Sequence, residues 1–551
     1  MSDGDDRGGI DPARERVDAY ERSVPVEVRR AAGVHYTPAV IAEDLCGISF
    51  GALGRIPRSV VDPSCGGGAF LLAVADRLAA EGVPPDEVVT ERVSGVDTDQ
   101  AAVGVARRAL SDWAGGRGAR VGVDQVRIHQ GDGLLLGSEA WPGRPPGGHD
   151  LVIGNPPFLG QLDRRTTRSS SRRSVLAQRF PAMGPYTDES ALFLAAGLEL
   201  VAPGGVVALV QPQSVLSTRD TSDLRDSLCR TGDLVALWVH EGMPFADADV
   251  YVCAPVLRRA GSPMAAPRTA RTEVVWRTGS GEQRWQAELG VAGRWGELLA
   301  PIHGVPVVGA LAGAPLGSVA TATAGFRDEF YALCEAATES EAATDIGDRA
   351  GRAQRRLVTV GMIDPFRLGW GAGSYRLGGR RVSSPVLDDG VLVECSPRVA
   401  GWVERRSRPK VLVATQTKVL EAVVDPLGDL VPVTPTISVE PLDRNPDVWH
   451  LGAALVAPPV AAHAALAHLG SGRSPGSLRW SARALLEVPL PLDREAWASG
   501  ADLARRVQQA EPGDRSVDSL LDDFAVTMTM AHGLSARHPV VDWWSTRRPR
   551  R

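Results

Sequence analysis

"VVDPSCGGGAFLLAVADRL", Val60–Leu78, passes from β-branched residues to small ones and then to an apolar helical pattern. The run ending at Asp62 fits a buried strand, and Ala69 to Glu81 fits a helix. Three glycines between them let a ligand approach the backbone, and a helix start offers N–H groups. Phosphate suits this turn poorly. Neither G-x-x-x-x-G-K-[ST] nor G-x-G-x-x-G is present, the loop holds no cation, and Asp62 would repel an anion. A ligand with positive charge and hydroxyls fits better.

The same texture continues outward. Short apolar runs at "SVVD" (59), "VSGVD" (93), "VRIHQGD" (126), "DLVIGN" (150), "GGVVALVQP" (204), "LVALWVH" (234) and "VYVCAPVLR" (250) alternate with helical stretches such as Asp99 to Trp113 and Glu189 to Val201. Alternation of this kind implies βαβ units, hence a doubly wound, mostly parallel α/β domain of Rossmann-like type over residues 34–260. Ligands of such sheets bind outside the carboxyl ends of the strands. Asp62, Gly66 to Gly68, Asp97, Asp132 and Asn155 all stand at strand ends, so one crevice should hold them. Asp97 is placed to accept ribose hydroxyls and Asp132 an adenine amine. At the fourth end, "DLVIGNPPFLG" (Asp150–Gly160), two prolines stop the strand and stiffen the backbone. They leave a shelf whose acceptors are the Asn155 amide oxygen and the Pro156 carbonyl, with Pro157 and the Phe158 ring beside them. A planar substrate with an exocyclic amine suits such a shelf.

The chain of 551 residues, 44% hydrophobic and 23% charged, is long enough for two or three domains. Cysteines at 46, 65, 229, 253, 334 and 395 form no C-x-x-C pair, so neither a zinc site nor a disulfide framework is expected, and a reducing cytoplasm is the expected compartment. No apolar run reaches the roughly 18 residues that span a bilayer. The net charge of −6 excludes a uniformly basic nucleic-acid binder, but the arginines cluster. They gather at Arg164 to Arg173, Arg349 to Arg356 and Arg376 to Lys410. Residues 1–33 read as a tail leading into a helix. Past 261 the texture turns to short β runs broken by Gly and Pro, a second, mixed α+β domain over 261–492. A helical segment over 493–551 follows, with helices at Arg494–Gln509 and Ser516–His532.

In order, "GVHYTP" (33–38), "DPSCGGGAF", "GVDTD", "GDGL" and "NPPF" resemble the motifs of S-adenosylmethionine-dependent DNA methyltransferases that act on the N6 amine of adenine. The likeness is to type II restriction-modification methylases of the NPPF kind with a C-terminal target-recognition domain, and it covers Gly33 to about Arg259. The resemblance implies that Tyr36, Thr37, Asp62, Pro63, Cys65, Gly66, Gly68 and Phe70 hold the methionine side of the cofactor, Asp97 its ribose and Asp132 its adenine. Asn155, Pro156, Pro157 and Phe158 become the catalytic turn, with no metal. Departures are slight: Ser64 and Gly67 stand where many relatives have Ala and Ser, and the ribose acid is Asp rather than Glu.

The lone pair of the adenine amine is delocalised into its ring. Hydrogen bonds to Asn155 and the Pro156 carbonyl would localise it toward a methyl sulfonium, for in-line transfer without a covalent enzyme intermediate. The amine reaches the cofactor only from a flipped base, on which Phe158 would stack. Double-stranded DNA is then the expected partner, gripped by Arg164, Arg165, Arg380, Arg381, Arg405, Arg406 and Lys410 among Phe366, Trp370, Tyr375 and Trp402. Similar NPP-aromatic turns occur in methyltransferases of glutamine amides in release factors and of ribosomal RNA. A non-catalytic methylase-like DNA-binding subunit is the other alternative. No nuclease array is visible, so any cleavage is expected from a separate restriction nuclease or defence-system protein.

Overall fold

Val60–Asp62 (β1) is buried along its whole length because parallel strands flank it on both sides. The computed structural model describes residues 11–33, 37–159, 170–245, 250–263, 271–289, 291, 293–340, 355–443, 446–469, 478–511 and 513–549. The chain divides into two compact units, Met1–Leu298 and Leu299–Arg551.

In the first unit α1 (Pro12–Ser23), α2 (Val26–Ala32) and α3 (Ala39–Leu53) precede β1. There follow α4 (Ala69–Ala80), the short α5 (Pro85–Glu87), β2 (Val93–Asp97), α6 (Gln100–Gly115), β3 (Ile128–Gln130) and β4 (His149–Gly154). Next come α7 (Ser170–Arg179), α8 (Glu189–Leu200), β5 (Val201–Leu209), β6 (Gln211–Pro212) and α9 (Ser222–Thr231). The unit closes with β7 (Gly232–His240), β8 (Val252–Arg259), β9 (Arg271–Thr278) and β10 (Gly281–Glu288). One sheet takes all of these strands in the order β10-β9-β7-β8-β5-β4-β1-β2-β3, with β6 beside β8. From β3 to β5 the pairs are parallel, and β8 runs antiparallel to β5 and β7. The β-branched runs fit because helices cover both faces. α8 is buried almost all round, which explains why its sequence, ESALFLAAGLEL, lacks a polar stripe.

Two features differ from expectation. The polar segment "PARERVDAYERS" is a helix of the core rather than a tail. Asp11 caps it by accepting from the Ala13 N–H at 3.0 Å, and Ala13 and Val17, four residues apart, are buried. Its arginines meet acids of the neighbouring helices, Arg14 on Asp76 at 2.7 Å and Arg16 on Asp112 at 2.8 Å. The apolar stripe is so narrow that composition hides it. Also, "EVVWRTGSGEQRWQAEL" extends the first sheet: β9 pairs parallel with β7 and β10 closes the edge as a hairpin, so the expected boundary near 261 falls inside this unit. An edge hairpin shows one wet strand, and that polarity resembles a new domain.

The second unit holds two four-stranded sheets and a helical end. One sheet joins Ala320–Ala324, Ile437–Pro441, Lys410–Val413 and Ala422–Asp425 in antiparallel pairs. The other joins Ala337–Glu339, Pro385–Leu387, Arg356–Val358 and Leu430–Pro432. Helices Arg494–Gln509, Ser516–Ala531 and Val540–Arg547 end the chain. No single helix among the described residues is long and apolar enough to cross a membrane.

Lys410, expected on DNA, is instead 0% exposed, its ammonium donating to Asp425 at 2.5 Å. Asp425 also accepts from the N–H groups of Gly428 at 2.8 Å and Leu430 at 3.0 Å, so the pair fastens the turn "DPLGDL". Burial lowers the ammonium's pKa and raises the carboxyl's, each opposed by the partner's charge. A lysine at the head of an apolar run, "KVLV", pairs inward because the strand is covered on both faces.

Two outcomes follow from this packing. Val17→Asp buries an unpaired carboxylate and is expected to cost about 3 kcal/mol or more in urea unfolding, whereas a detached tail would leave the midpoint unmoved. Lys410→Ala strands Asp425 and is expected to cost about 3–5 kcal/mol. A loss typical of a surface lysine would contradict its burial.

Candidate active site

Because β1, β2, β3 and β4 are parallel, their C-terminal ends open on one side, and a cavity of about 450 Å³ lies there. That is within the roughly 300–1,000 Å³ of small-molecule pockets. Its walls include Thr37, Asp62, Pro63, Cys65, Gly66 and Phe70, and from the later strand ends Asp97, Asp132, Asn155 and Pro157. Four chain segments far apart in sequence therefore meet as expected. Tyr36 lies outside the described residues. Gly68 does not line the cavity; at φ 97° it starts α4, and a Cβ there would meet the Ala106 Cβ at 3.3 Å.

Two glycines set the spacing of the acids. A Cβ at Gly154 would stand 2.4 Å from Asp62 Oδ1, and one at Gly133 would stand 2.1 Å from the Pro63 carbonyl oxygen. Both positions exclude any side chain. Asp62 accepts from the Ser64 N–H at 2.9 Å, and its burial pushes the carboxyl up to about 8. Asp97 accepts from the N–H groups of Gly66 at 2.8 Å and Asp99 at 2.9 Å, and burial raises it too. A buried and a half-buried acid flanking a glycine turn make a site that favours cations and hydroxyls. Cys65 faces inward, 6% exposed, with burial and both aspartates raising its thiol well above the usual range, so it is a packing group rather than a nucleophile.

The Asn155–Phe158 turn is clamped at both ends. The Phe158 N–H donates to the Gly33 carbonyl at 2.9 Å, and the Leu159 N–H donates to Asp188 Oδ1 at 3.1 Å, the acid that caps α8. Asn155 Nδ2 donates to Thr37 Oγ1 at 3.0 Å, which fixes the amide plane and ties this turn to the segment after Gly33. Phe158 does not stand open as a stacking platform. It is 8% exposed, and its ring meets Phe245 edge to face, centroids 6.0 Å apart at 65°. Pro156 is likewise absent from the cavity wall, which Asn155, Pro157 and Leu159 form.

Sequence reasoning missed several residues. Phe245, in "MPFADADV", gave no signal beyond being aromatic. Tyr20, Glu21 and Arg29 of α1 and α2 line the cavity, with the Tyr20 hydroxyl donating to Asp99 at 2.6 Å. Arg172 of α7 donates through Nη1 to Asp132 at 2.7 Å and through Nη2 to the fully buried Glu189 at 2.7 Å. Asp132, expected to be an open acceptor, thus already holds an arginine. A carboxylate has about four acceptor positions, so an amine can still share it.

Of the expected DNA contacts, Arg164 and Arg165 lie outside the described residues. Arg380, Arg381 and Arg405 are exposed, and Arg376 stands opposite Arg381 across the hairpin Tyr375–Leu377/Arg380–Val382. Like charges facing across strands are costly unless an anion joins them. Arg406 is half-buried and paired with the buried Glu440, which neutralises it, and Lys410 is buried as described above. Phe366 is 0% exposed, stacked edge to face on Phe524, so it belongs to the core and not to a DNA-facing surface.

The family model "N-6 DNA Methylase" matches residues 18–259. The type II methyltransferase M.VspI of Vibrio sp. (strain 343) is 25% identical over 233 residues, 41% of this chain and 48% of that protein. The chain thus spans about half the length of the curated relative it matches. Among solved structures, the type IIL restriction-modification enzyme MmeI in complex with DNA superposes with a TM-score of 0.60 at 12% identity, over 98% of this chain and 80% of that one. At that identity the likeness is one of fold. The mostly parallel sheet agrees with the doubly wound α/β domain expected from the sequence, and S-adenosylmethionine is the methyl donor of the matched family. Residues 18–259 of this chain are thus similar to the N-6 DNA methylase family.

Proposed function

We propose that the protein is a site-specific, adenine-specific DNA methyltransferase, moving a methyl group from S-adenosylmethionine to the N6 amine of adenine in double-stranded DNA. Its role would be the modification component of a restriction-modification or phage-defence system, with any cleavage supplied by a separate protein. The observation that carries this reading is the tie between Asn155 and Thr37 inside the cavity lined by Asp62, Asp97 and Asp132. It sets an amide acceptor beside a pocket fitted to a cationic nucleoside.

The donor, when bound, supplies an activated methyl on a sulfonium. The chain's own groups do the rest. Asp62 and Asp97 offset positive charge and accept hydroxyls, and Asp132 accepts an amine. Asn155, its plane held by Thr37, orients the target amine, and the stiff Pro156–Pro157 backbone keeps that acceptor still. A flipped base would bring its amine to Asn155, and the Phe158 ring, edge to face on Phe245 at 65°, would have to turn to stack on that base. The second unit, with Arg376, Arg380, Arg381 and Arg405 exposed, would grip phosphates.

Single-molecule sequencing of DNA from cells expressing the wild type or Asn155→Ala tests the reaction. N6-methyladenine at one short motif is expected with the wild type alone. Full methylation by the variant would remove Asn155 from catalysis, and a methylated motif in neither strain would point to an RNA or protein substrate or to a missing partner. A second test uses the raised Asp62 carboxyl. With its pKa about 8, it keeps its proton at pH 7 in the empty crevice, and a sulfonium or ammonium nearby favours the ionised form. Donor binding should therefore release a proton, and affinity should climb from neutral pH towards 8 and level off above it. Calorimetry in two buffers of different ionisation enthalpy at pH 7 reads this directly; identical heats would mean that Asp62 does not meet the donor's charge.

A further inference from the structure

S-adenosylmethionine carries a carboxylate on its amino-acid end as well as positive charge, and the motif residues provide nothing positive to meet it. The glycine turn is poorly suited to that task. Of the five N–H groups from Ser64 to Gly68, four are engaged within the chain. Ser64 donates to Asp62 at 2.9 Å, Cys65 to the Val96 carbonyl at 3.0 Å, Gly66 to Asp97 at 2.8 Å and Gly68 to the Cys65 carbonyl at 2.9 Å. Asp97, and Asp62 once the donor's positive charge has ionised it, would also repel an anion.

Among the described residues, two cations line the cavity, Arg29 and Arg172. Arg172 stands at the adenine end of the cavity, its Nη1 on Asp132 and its Nε and Nη2 on Glu189. Arg29 stands on α2, which follows directly on α1, and α1 lies over the turn. A Cβ at Gly67 would stand 3.1 Å from Val17 Cγ1 and 3.7 Å from Tyr20 Cδ1, both on α1. Glu21 of α1 lines the same cavity, within electrostatic reach of Arg29. Arg29 and the Glu21 carboxyl, which burial pushes up to about 8, thus share the wall formed by the N-terminal helices.

We propose that Arg29 binds the α-carboxylate of S-adenosylmethionine, with Glu21 beside it toward the α-ammonium, so that the N-terminal helices read the donor's amino-acid end. The inference rests on the donor assigned under the proposed function. It adds a binding determinant upstream of every motif the sequence reading used. A charged partner matched to a charged group is worth about tenfold or more in affinity when one side is removed.

The test deletes the group from the ligand and the side chain from the protein in turn. Dissociation constants of the full chain, wild type, Arg29→Gln and Arg29→Lys, are measured by calorimetry for S-adenosylmethionine and for its decarboxylated form. The wild type should prefer the carboxylated donor by about tenfold or more. Arg29→Gln should lose most of that preference by weakening S-adenosylmethionine alone, and Arg29→Lys should recover part of it. Equal weakening of both ligands would mean that Arg29 only holds the helices, and an unchanged preference would mean that the carboxylate is met elsewhere. Either result overturns the inference. If the wild type binds neither ligand, the donor reading itself falls and takes this inference with it.

Discussion

Parallel pairing of β3, β2, β1 and β4 is the constraint on which the first unit depends. A parallel strand cannot return through a tight turn, so each is followed by a crossing segment, and all four ends must open on the same side. Asp62, Asp97, Asp132 and Asn155 need no specific attraction to meet. The backbone topology delivers them, and glycines at 133 and 154 let the segments approach to distances that no side chain would allow.

That arrangement has an electrostatic cost. Asp62 and Asp97 are both pushed upward by burial, and Asp62 also by the charge of Asp97, so the unliganded crevice opposes full ionisation. Part of the cost is offset locally, since backbone N–H groups of the turn point at the acids. Arg172 does the same for Asp132 and Glu189. A cation entering this space completes a charge pattern that the protein alone leaves unbalanced.

The strand ends were legible because each combines two local signals, a β-branched run and an abrupt acid or Asn-Pro stop. Helices Arg494–Gln509 and Ser516–Ala531 were legible for a similar reason, their apolar spacing being regular over four turns. What escaped depends on partners far away in sequence. Ala13 and Val17 are two apolar residues in a charged helix, and only α6 and the glycine turn reveal that they are buried. Phe158 looked available for stacking because nothing near it in sequence announces Phe245. Lys410 sat in an arginine-rich stretch, and the acid that draws it inward is 15 residues away on the neighbouring strand. The edge hairpin β9–β10 was misread because wet strands resemble one another whichever sheet they join.

The burial of Lys410 also bears on how the protein can be handled. Arginine carries nearly all of the positive charge, and lysine stands only at 410 and 418. With the first enclosed beside Asp425 and the second exposed, the folded chain presents one accessible side-chain amine. An amine-reactive dye, tether or crosslinker thus meets a single lysine, directly after Gln416–Thr417, the strand that pairs with Leu478–Arg479. Site-selective attachment at Lys418, normally won by removing competing lysines, is built into this sequence.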